Sequence, residues 1–386
     1  MTVAILSQPV SNLFLSINLY FQKDPNNNMI VRHPSARPDI VVEEVQIIIE
    51  DNLEYLKNAL NKYLTQTEID LEAFIHQASL SCEMALYWCE LADIDPLDSY
   101  IFLYYAYLFR YYACLVQSQE EVTLSFPKGS NTVKGLGSGV VFPDTFIQNY
   151  YNQNFHLSII LALVFRDTKA LDLYAQLSFK PTKSDFYQSH QDKIQDYPWM
   201  ERYKEEGYPI YTYRQNWALA DYFVVLASRD TGLSLEKTEE MIVFFEYEIE
   251  YYNQREREEL SLWWGDGYKE SNLTPYSTGC LPLQFQKQQI DELILPYLKV
   301  YQSVFENDEK GFNQNLEIAL EKHKNYYENF RIQGEEIRSD HTGWLSMALI
   351  GACAIAYDRG MKREIESDYI PEWIVKGDFD GLELSV

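Results

Sequence analysis

The chain has 386 residues, 46% of them hydrophobic and 15% aromatic, and this much apolar surface offsets the entropy lost on folding and excludes global disorder. Its 58 acidic and 32 basic side chains give a formal net charge of -26 at pH 7. Such a charge repels nucleic-acid phosphates and attracts a basic protein partner, although many soluble proteins are acidic for solubility alone.

Cysteine usage and the first residues predict a cytoplasmic location. The five cysteines are odd in number, and four of them, Cys82, Cys89, Cys114 and Cys353, lie in apolar helical contexts typical of reduced core thiols. The chain starts without the basic segment of a secretion signal. No stretch reaches the roughly 18 uninterrupted apolar residues of a membrane span, so we expect no membrane contact.

The N-terminal residues differ in pattern from the rest of the chain. Residues 22–39 contain Pro25, Pro34 and Pro38 and predict an irregular connection. We therefore expect residues 1–38 to be an N-terminal extension and residues 39–386 to form a single helical domain.

Beyond this extension, apolar residues recur at three- and four-residue steps, which predicts amphipathic helices. The predicted helices cover residues 39–62, 67–91, 97–116, 144–165, 168–177, 216–228, 234–253, 283–306, 310–330 and 341–359. Because short links join neighbouring helices, we predict an all-α fold, an array of antiparallel helical hairpins. Arg-Asp-Thr occurs at 166–168 and again at 229–231, which weakly supports a repeated hairpin.

Two segments interrupt the helical pattern. In residues 122–141, an alternating apolar stretch stands beside clustered glycines, which predicts a small β-hairpin or a loop insertion. Residues 180–213 are rich in Tyr, Pro and charged side chains and predict a second irregular segment.

The glycine cluster is the first candidate for a phosphate-binding loop. Gly129 and Lys134 lack the spacing and the following Ser or Thr of a P-loop, and Gly135, Gly137 and Gly139 alternate instead of forming a dinucleotide motif. We favour a structural loop over a nucleotide site.

Motifs of catalytic and metal chemistry are missing from the sequence. There is no His-Glu-x-x-His, no Cys-x-x-Cys and no Gly-x-Ser-x-Gly, and the Asp pairs at 93–95 and 378–381 lack the remaining ligands of a calcium loop. We therefore expect no catalytic residues, no metal and no cofactor. A hydrolase with a dispersed carboxylate site is a third hypothesis that motifs do not exclude.

Two segments combine aromatic and acidic side chains, the composition of a protein-binding surface. In the first, the candidate contacts are Asp196, Tyr197, Trp199, Glu201, Tyr203, Glu205, Glu206 and Tyr208. In the second, they are Glu248, Glu250, Tyr251, Glu256, Glu258, Glu259, Trp263, Trp264 and Asp266. Equally, the aromatics could anchor each segment to the core while the acids stay solvated.

The C-terminal region contains a small-residue helix with an Asp-Arg-Gly turn at residues 346–360, followed by an extended piece that reaches Pro371. With these motifs, the region resembles the immunity protein 49 family of bacterial polymorphic toxin systems. Residues 297–330 and 155–177 are similar to further helices of the family, so the resemblance covers about residues 70–386 and is strongest in 295–386. Asp358, Arg359, Gly360 and Pro371 are interpreted as structural, because they brace and end a helix.

The resemblance implies a cytoplasmic, helical, non-enzymatic antitoxin encoded beside a secreted toxin of interbacterial competition, as in type VI effector–immunity pairs. It does not fix the toxin's activity. Because of the charge, we expect a basic nuclease or deaminase that is inhibited by stoichiometric occlusion. The alternative is a helical repeat-like scaffold or adaptor for another protein. The oligomeric state stays open.

Overall fold

The helical periodicity of the sequence corresponds to an all-α fold. The computed structural model describes residues 29–30, 32, 42–69, 74, 77–92, 96–143, 155–180, 212–264, 287–329, 331–332, 335–336 and 343–379. Helices α1–α11 span, in order, Val42–Tyr63, Met84–Ala92, Pro96–Ser118, Phe155–Val164, Thr168–Tyr174, Thr212–Ala227, Thr231–Trp264, Leu295–Glu306, Glu309–Asn329, Met347–Asp358 and Glu372–Lys376. Two π-helical turns, Gln77–Glu83 and Ile290–Ile294, lead into α2 and α8.

Short strands join the helices. Strands β1–β8 span Met29–Ile30, Glu121–Phe126, Gly129–Lys134, Val141–Pro143, Ser178–Lys180, Arg331–Ile332, Glu335–Glu336 and Glu366–Ser367. Strands β2 and β3 pair antiparallel, with Glu121 opposite Lys134, and β2 buries every second residue. The β-hairpin predicted near residues 122–141 is thereby confirmed.

The centre of the molecule is α4, which contacts α3, α5, α6, α10 and α11. Its side chains from Leu157 to Val164 are all buried, as expected of a helix that is apolar on every side. Helix α10 packs on both α4 and α8. Buried hydrophobic residues from Val45 to Val375 form one continuous cluster.

Three helical hairpins, α4–α5, α6–α7 and α8–α9, turn at corners of the same kind. A residue one or two positions after the first helix is in the left-handed region in each: Arg166 (φ 51°), Arg229 (φ 60°) and Asn307 (φ 57°). An aspartate follows each of them, and its Oδ1 accepts a hydrogen bond from the first turn of the next helix. The donors are the N–H groups of Ala170 to Asp167 (3.0 Å), Leu233 to Asp230 (2.9 Å) and Gly311 to Asp308 (2.9 Å). The repeated Arg-Asp-Thr is therefore a helix-capping corner.

The helix predicted from Thr67 starts later than expected. Residues 67–69 are not helical, because the carbonyl of Thr67 accepts a hydrogen bond from the backbone N–H of Lys134 in β3 at 2.9 Å. The side-chain amide of Asn131 also donates to the carbonyls of Tyr63 and Gln66. The β-hairpin thus holds the chain that leaves α1 in a non-helical path.

Other helix boundaries shift in both directions. Helix α7 extends eleven residues beyond the predicted end at Asn253, while α10 starts at Met347 instead of His341. There, the N–H of Ser346 donates to the carbonyl of Tyr369 at 3.0 Å outside any helix. Residues 144–154 of the predicted helix 144–165 and most of segment 180–213 lie outside the described residues.

Part of the predicted N-terminal extension packs against the C-terminal region. Strand β1 pairs parallel with β8, with Ile30 opposite Ser367. The side chain of Arg32 is buried, and its Nη1 donates to the carbonyl of Glu90 at 2.8 Å, while its backbone N–H donates to Asp368 Oδ2 at 3.2 Å. Residues 29–32 therefore bridge α2 and β8, and the domain boundary at residue 38 stays a prediction.

The described cysteines are core residues. Cys82, Cys89, Cys114 and Cys353 are buried as reduced thiols, and burial raises the pKa of Cys353 to about 12. Cys280 lies outside the described residues. Among the described helices, none is long and apolar enough to cross a lipid bilayer.

Candidate protein-binding surface

The glycine-rich segment after β3 wraps the C-terminal end of α3. The N–H groups of residues 135–139 donate to carbonyls of residues 116–120 at 2.7–3.0 Å. A Cβ at Gly135 would lie 2.0 Å from the carbonyl oxygen of Gln119, so only glycine fits there. Because these N–H groups already satisfy the orphan carbonyls of the helix end, they are not available to cradle a phosphate, as the structural interpretation of the cluster expects.

Metal-binding groups are not assembled in the part of the chain that the structure describes, where no three His, Cys, Asp or Glu side chains lie close enough to share an ion. A buried ion pair joins Glu83 to Arg110, whose side chains are 8% and 0% exposed. Burial raises the pKa of Glu83, and the guanidinium of Arg110 opposes that rise. The pair braces the π-helical turn against α3 and offers no solvent-facing carboxylate for chemistry.

The two aromatic and acidic segments predicted as contacts are placed differently. Every candidate of the first segment, from Asp196 to Tyr208, lies outside the described residues. In the second segment, Glu248 is 2% exposed, and a buried carboxylate does not reach a docked partner, so we remove it from the candidate contacts. For the candidates from Glu250 to Trp264 the structure describes only the helical backbone of α7, and Asp266 lies outside the described residues.

Upstream of these candidates, α7 has one buried and one exposed face. The buried face consists of Ser234, Thr238, Met241, Phe245 and Glu248, at steps of four and three residues. It packs on α6 and α8, and Thr238 Oγ1 lies 3.1 Å from Tyr222 Oη of α6.

The exposed face lies on the opposite side of the helix, at steps of three and four residues. We define the α7 stripe as Leu233, Glu236, Glu240, Val243 and Tyr247, all of which are exposed. Its apolar members are unusually open to solvent, with exposures of 47% for Leu233, 67% for Val243 and 54% for Tyr247. Sequence reasoning missed Leu233 and Val243, because either face of the helix could have been the buried one. The signal that favours this face is the combination of two carboxylates with three apolar groups along it.

The surface of α7 around the stripe is anionic. Within residues 231–249 there are four exposed glutamates and one basic residue, Lys237, while Glu248 is buried. The Nζ of Lys237 lies 2.8 Å from Asp221 Oδ2 and 3.0 Å from Glu240 Oε2. The cation is thus held by two carboxylates, and a negative field remains over Glu236, Glu239 and Glu246.

The side chains of the C-terminal Asp-Arg-Gly turn bond to neighbouring parts of the chain and tie helices together. Asp358 Oδ1 accepts from Arg166 Nη2 at 2.9 Å, and the same nitrogen donates to the carbonyl of Val375 at 2.8 Å. Gly360 is left-handed (φ 75°), and the next residue donates its N–H to the carbonyl of Ala356 at 3.0 Å, which ends α10 in the manner of a Schellman motif.

Arg359 connects three helices at once. Its Nη1 donates to the carbonyl of Val304 in α8 at 2.9 Å, and its Nη2 donates to Thr231 Oγ1 at the start of α7 at 2.6 Å. Its guanidinium carbon lies 5.2 Å from the ring centroid of Phe305. Further along, Pro371 directly precedes α11. This turn therefore fixes where α7 starts relative to α8 and α10.

The same stretch is where the chain resembles known proteins. Residues 279–374 match the family model of Immunity protein 49. The match contains α8–α10, the Asp-Arg-Gly turn and the first turn of α11, and it confirms the resemblance expected from the C-terminal motif. Comparisons with curated proteins and with solved structures found no match.

The immunity protein 49 match covers about a quarter of the chain. It includes the turn around Arg359 but not α7, which ends at Trp264. The α7 stripe is therefore assigned from its geometry alone.

Proposed function

We propose that this chain is a cytoplasmic immunity protein that binds a cognate bacterial toxin and neutralises it. In this proposal, a stoichiometric complex covers the active site or substrate groove of the toxin. The observation that carries the proposal is the match of residues 279–374 to Immunity protein 49. The bonds that Asp358 and Arg359 make within the chain support a scaffold role for the matched segment and leave other surfaces for the toxin.

The charge of the chain points to the chemistry of the toxin. A formal charge of -26 accelerates encounters with a cationic partner and disfavours direct binding of nucleic acid. Enzymes that act on polyanions have positive substrate grooves, so a secreted nuclease or deaminase effector, such as one delivered by type VI secretion, fits best. Inhibition by occlusion then needs an interface of about 800 Å² per partner or more.

The proposed toxin contacts lie in two places. One comprises the candidates from Asp196 to Tyr208, and the other comprises those from Glu250 to Asp266 without Glu248. Carboxylates there pair with Lys or Arg of the toxin, and the Tyr and Trp side chains supply contact area with few rotors to freeze. The helical backbone of α7 through Trp264 supports a continuous contact along that helix.

Gene deletions test the proposal directly. Loss of this gene alone should be lethal or strongly growth-inhibiting, because the toxin encoded beside it is then unopposed. Loss of the toxin gene alone, or of both genes, should leave growth normal. In vitro, one equivalent of this protein should abolish the activity of the purified toxin domain. Equal phenotypes for the two single deletions, or toxin activity that persists at saturating protein, would contradict the proposal.

A helical scaffold for another protein is the second candidate function. The three equivalent corners after α4, α6 and α8 favour it, since repeated hairpins build the extended surfaces of adaptor proteins. Affinity purification from the native host separates the two candidates. One small basic protein encoded by the adjacent gene supports immunity, and several housekeeping proteins without that partner support a scaffold.

A further inference from the structure

We propose that the α7 stripe is the docking surface for a cationic face of the toxin, with Val243 and Tyr247 as its anchors. This inference rests on the proposed function and deepens it. It assigns the contact to the part of α7 before residue 248, which the family match does not include and in which sequence analysis named no candidate contact.

The geometry of α7 fixes which side faces outward. The stripe and the buried face lie on opposite sides of the helix, so packing the buried face against α6 and α8 leaves the stripe on the outer side. Phe245 is 0% exposed, whereas Val243 is 67% exposed. Thr238 is bonded to Tyr222 on the inner side, and Arg359 holds Thr231 at the start of the helix. The stripe is therefore presented on a rigid element, as a pre-organised binding surface requires.

The apolar members of the stripe distinguish it from an ordinary solvated helix face. Leu233, Val243 and Tyr247 lie along one line about 21 Å long, the rise of fourteen residues. Single exposed apolar residues such as Ile318 are common and need no explanation. Here three such side chains lie in one line, and Glu236 and Glu240 lie between the first two of them. Together they form an amphipathic surface that a partner covers.

The charges around the α7 stripe determine which kind of partner binds there. Glu236, Glu239 and Glu246 surround the apolar groups, and Lys237 is already shared by Asp221 and Glu240. An anionic partner is repelled here. Lysine and arginine side chains of a basic protein fit, because their aliphatic stems pack on Val243 and Tyr247 while their charged ends reach the carboxylates. An arginine also stacks on the ring of Tyr247.

The two kinds of residue have separable kinetic roles. Exposed carboxylates steer the encounter and set the association rate, which falls as salt rises. Desolvated apolar and aromatic anchors set the dissociation rate. The stripe therefore predicts that its acidic and apolar members affect different rate constants of the same complex.

Surface binding measurements with the purified, catalytically inactivated toxin domain of the adjacent gene test this. The double variant Val243→Asp, Tyr247→Ala should weaken binding by about 30-fold or more, mainly through faster dissociation. The double variant Glu236→Gln, Glu239→Gln should slow association by about 3- to 10-fold at low salt and flatten its salt dependence.

Matched controls lie on other helices. Ile318→Asp on α9 and Ile47→Asp on α1 change residues that are 51% and 58% exposed, and Glu317→Gln, Glu321→Gln removes two exposed carboxylates of α9. Each control should bind within about twofold of the unaltered protein, since surface changes outside a hot spot are close to neutral.

The outcomes separate this inference from the proposed function. If the unaltered protein binds the toxin and the α7 variants bind equally well, the toxin docks elsewhere and the inference is wrong while the function stands. If the unaltered protein does not bind at micromolar concentration, the proposed function fails as well. If Val243→Asp instead changes the molar mass of the toxin-free protein in light scattering, the stripe is a contact between copies of this chain and the inference is overturned.

Discussion

The Asp-Arg-Gly turn and the α7 stripe use charged residues in opposite ways. At the turn, Arg359 and Asp358 bond to carbonyls and side chains of neighbouring parts of the chain. On α7, glutamates and apolar groups point outward, and the one basic residue within 231–249, Lys237, is held by carboxylates of the chain itself.

This difference explains why the recognisable part of the sequence is not the part proposed to bind. A turn that joins three helices tolerates few substitutions, so it forms a pattern that a family model detects. A contact surface has to suit one particular toxin and carries no such pattern. The family match therefore identifies the scaffold, and the contact has to be found from burial, charge and the direction in which a helix faces.

Among the substitutions that test this difference, the largest loss of stability is expected inside the matched segment, at Gly351 of α10. A Cβ there would lie 2.6 Å from Tyr301 Oη and 3.2 Å from Ile160 Cγ1. Both partners are fully buried, and Tyr301 donates to the carbonyl of Ala348. Gly351→Val should lower the free energy of unfolding by about 3 kcal/mol, measured by urea denaturation.

Gly232 in the first turn of α7 provides the control, because a Cβ there would meet only Asp230 Oδ1 at 3.5 Å. Gly232→Val should change stability by less than about 0.5 kcal/mol. Equal denaturation midpoints for Gly351→Val and the unaltered protein would show that α10 does not pack this closely against α8 and α4.

The two Arg-Asp-Thr corners offer the next test. Arg166 donates to the carbonyls of Val164 and Val375 as well as to Asp358, whereas Arg229 pairs with the exposed Asp172. Arg166→Ala should cost about 2 kcal/mol, since partly buried carbonyls lose their donor, and Arg229→Ala should cost less than about 1 kcal/mol.

Both arginines have a left-handed backbone conformation. The backbone strain of an alanine is therefore the same in the two variants and cancels in the comparison. Thermal and urea denaturation give the two values. A larger loss of stability in Arg229→Ala than in Arg166→Ala would contradict the contacts at the two corners.

Sequence patterns predicted the elements that are determined by residues close in sequence. The ends of α3 and α9 lie within two residues of the prediction because their amphipathic pattern is unbroken, and Gly360 is left-handed as the helix-ending pattern indicates. The β-hairpin followed from alternation and glycines in the same short stretch.

Elements whose cause is distant in sequence were missed. Residues 67–69 are held out of a helix by Lys134, and β1 finds its partner at Ser367, more than three hundred residues away. The same holds for the candidate site. Tyr247 belongs to the second acidic and aromatic segment, but the exposure of Val243 depends on which face of α7 packs against α6 and α8.

A pH-dependent effect concerns His323, which is buried beside Tyr327 and Tyr369 and lies 2.9 Å from the carbonyl of Gly343. Burial, opposed by this hydrogen bond and aided by the charge of Arg32, lowers its pKa to about 4. Since an unfolded histidine titrates near 6.5, the unfolded state binds more protons between these values. Stability should therefore fall as pH drops from about 6.5 to about 4, by about 1.4 kcal/mol per pH unit for this one group.

The variant His323→Gln isolates this contribution, because carboxylates titrate in both proteins and cancel in the difference. It should be less stable than the unaltered protein at pH 7. Between pH 6.5 and 4, the free energy of unfolding should fall less steeply with pH than in the unaltered protein, by the contribution of about one proton. Urea denaturation at several pH values measures both. An unchanged slope would mean that His323 is protonated in the folded protein.

The smallest expected effect on stability is at Val243, where the effect on binding should be the largest. Because Val243 is 67% exposed, Val243→Lys removes little buried surface, and the new lysine stands four residues after Glu239, the favourable order for a helical ion pair. Stability should stay within about 0.5 kcal/mol of the unaltered protein, whereas a cationic toxin face should bind at least about tenfold more weakly. Val243→Gln separates charge from shape, since it keeps the side chain polar and neutral and should fall between the two. If Val243→Lys binds the toxin as well as the unaltered protein does, α7 is an ordinary solvated helix face. The proposed difference between α7 and the Asp-Arg-Gly turn would then be wrong.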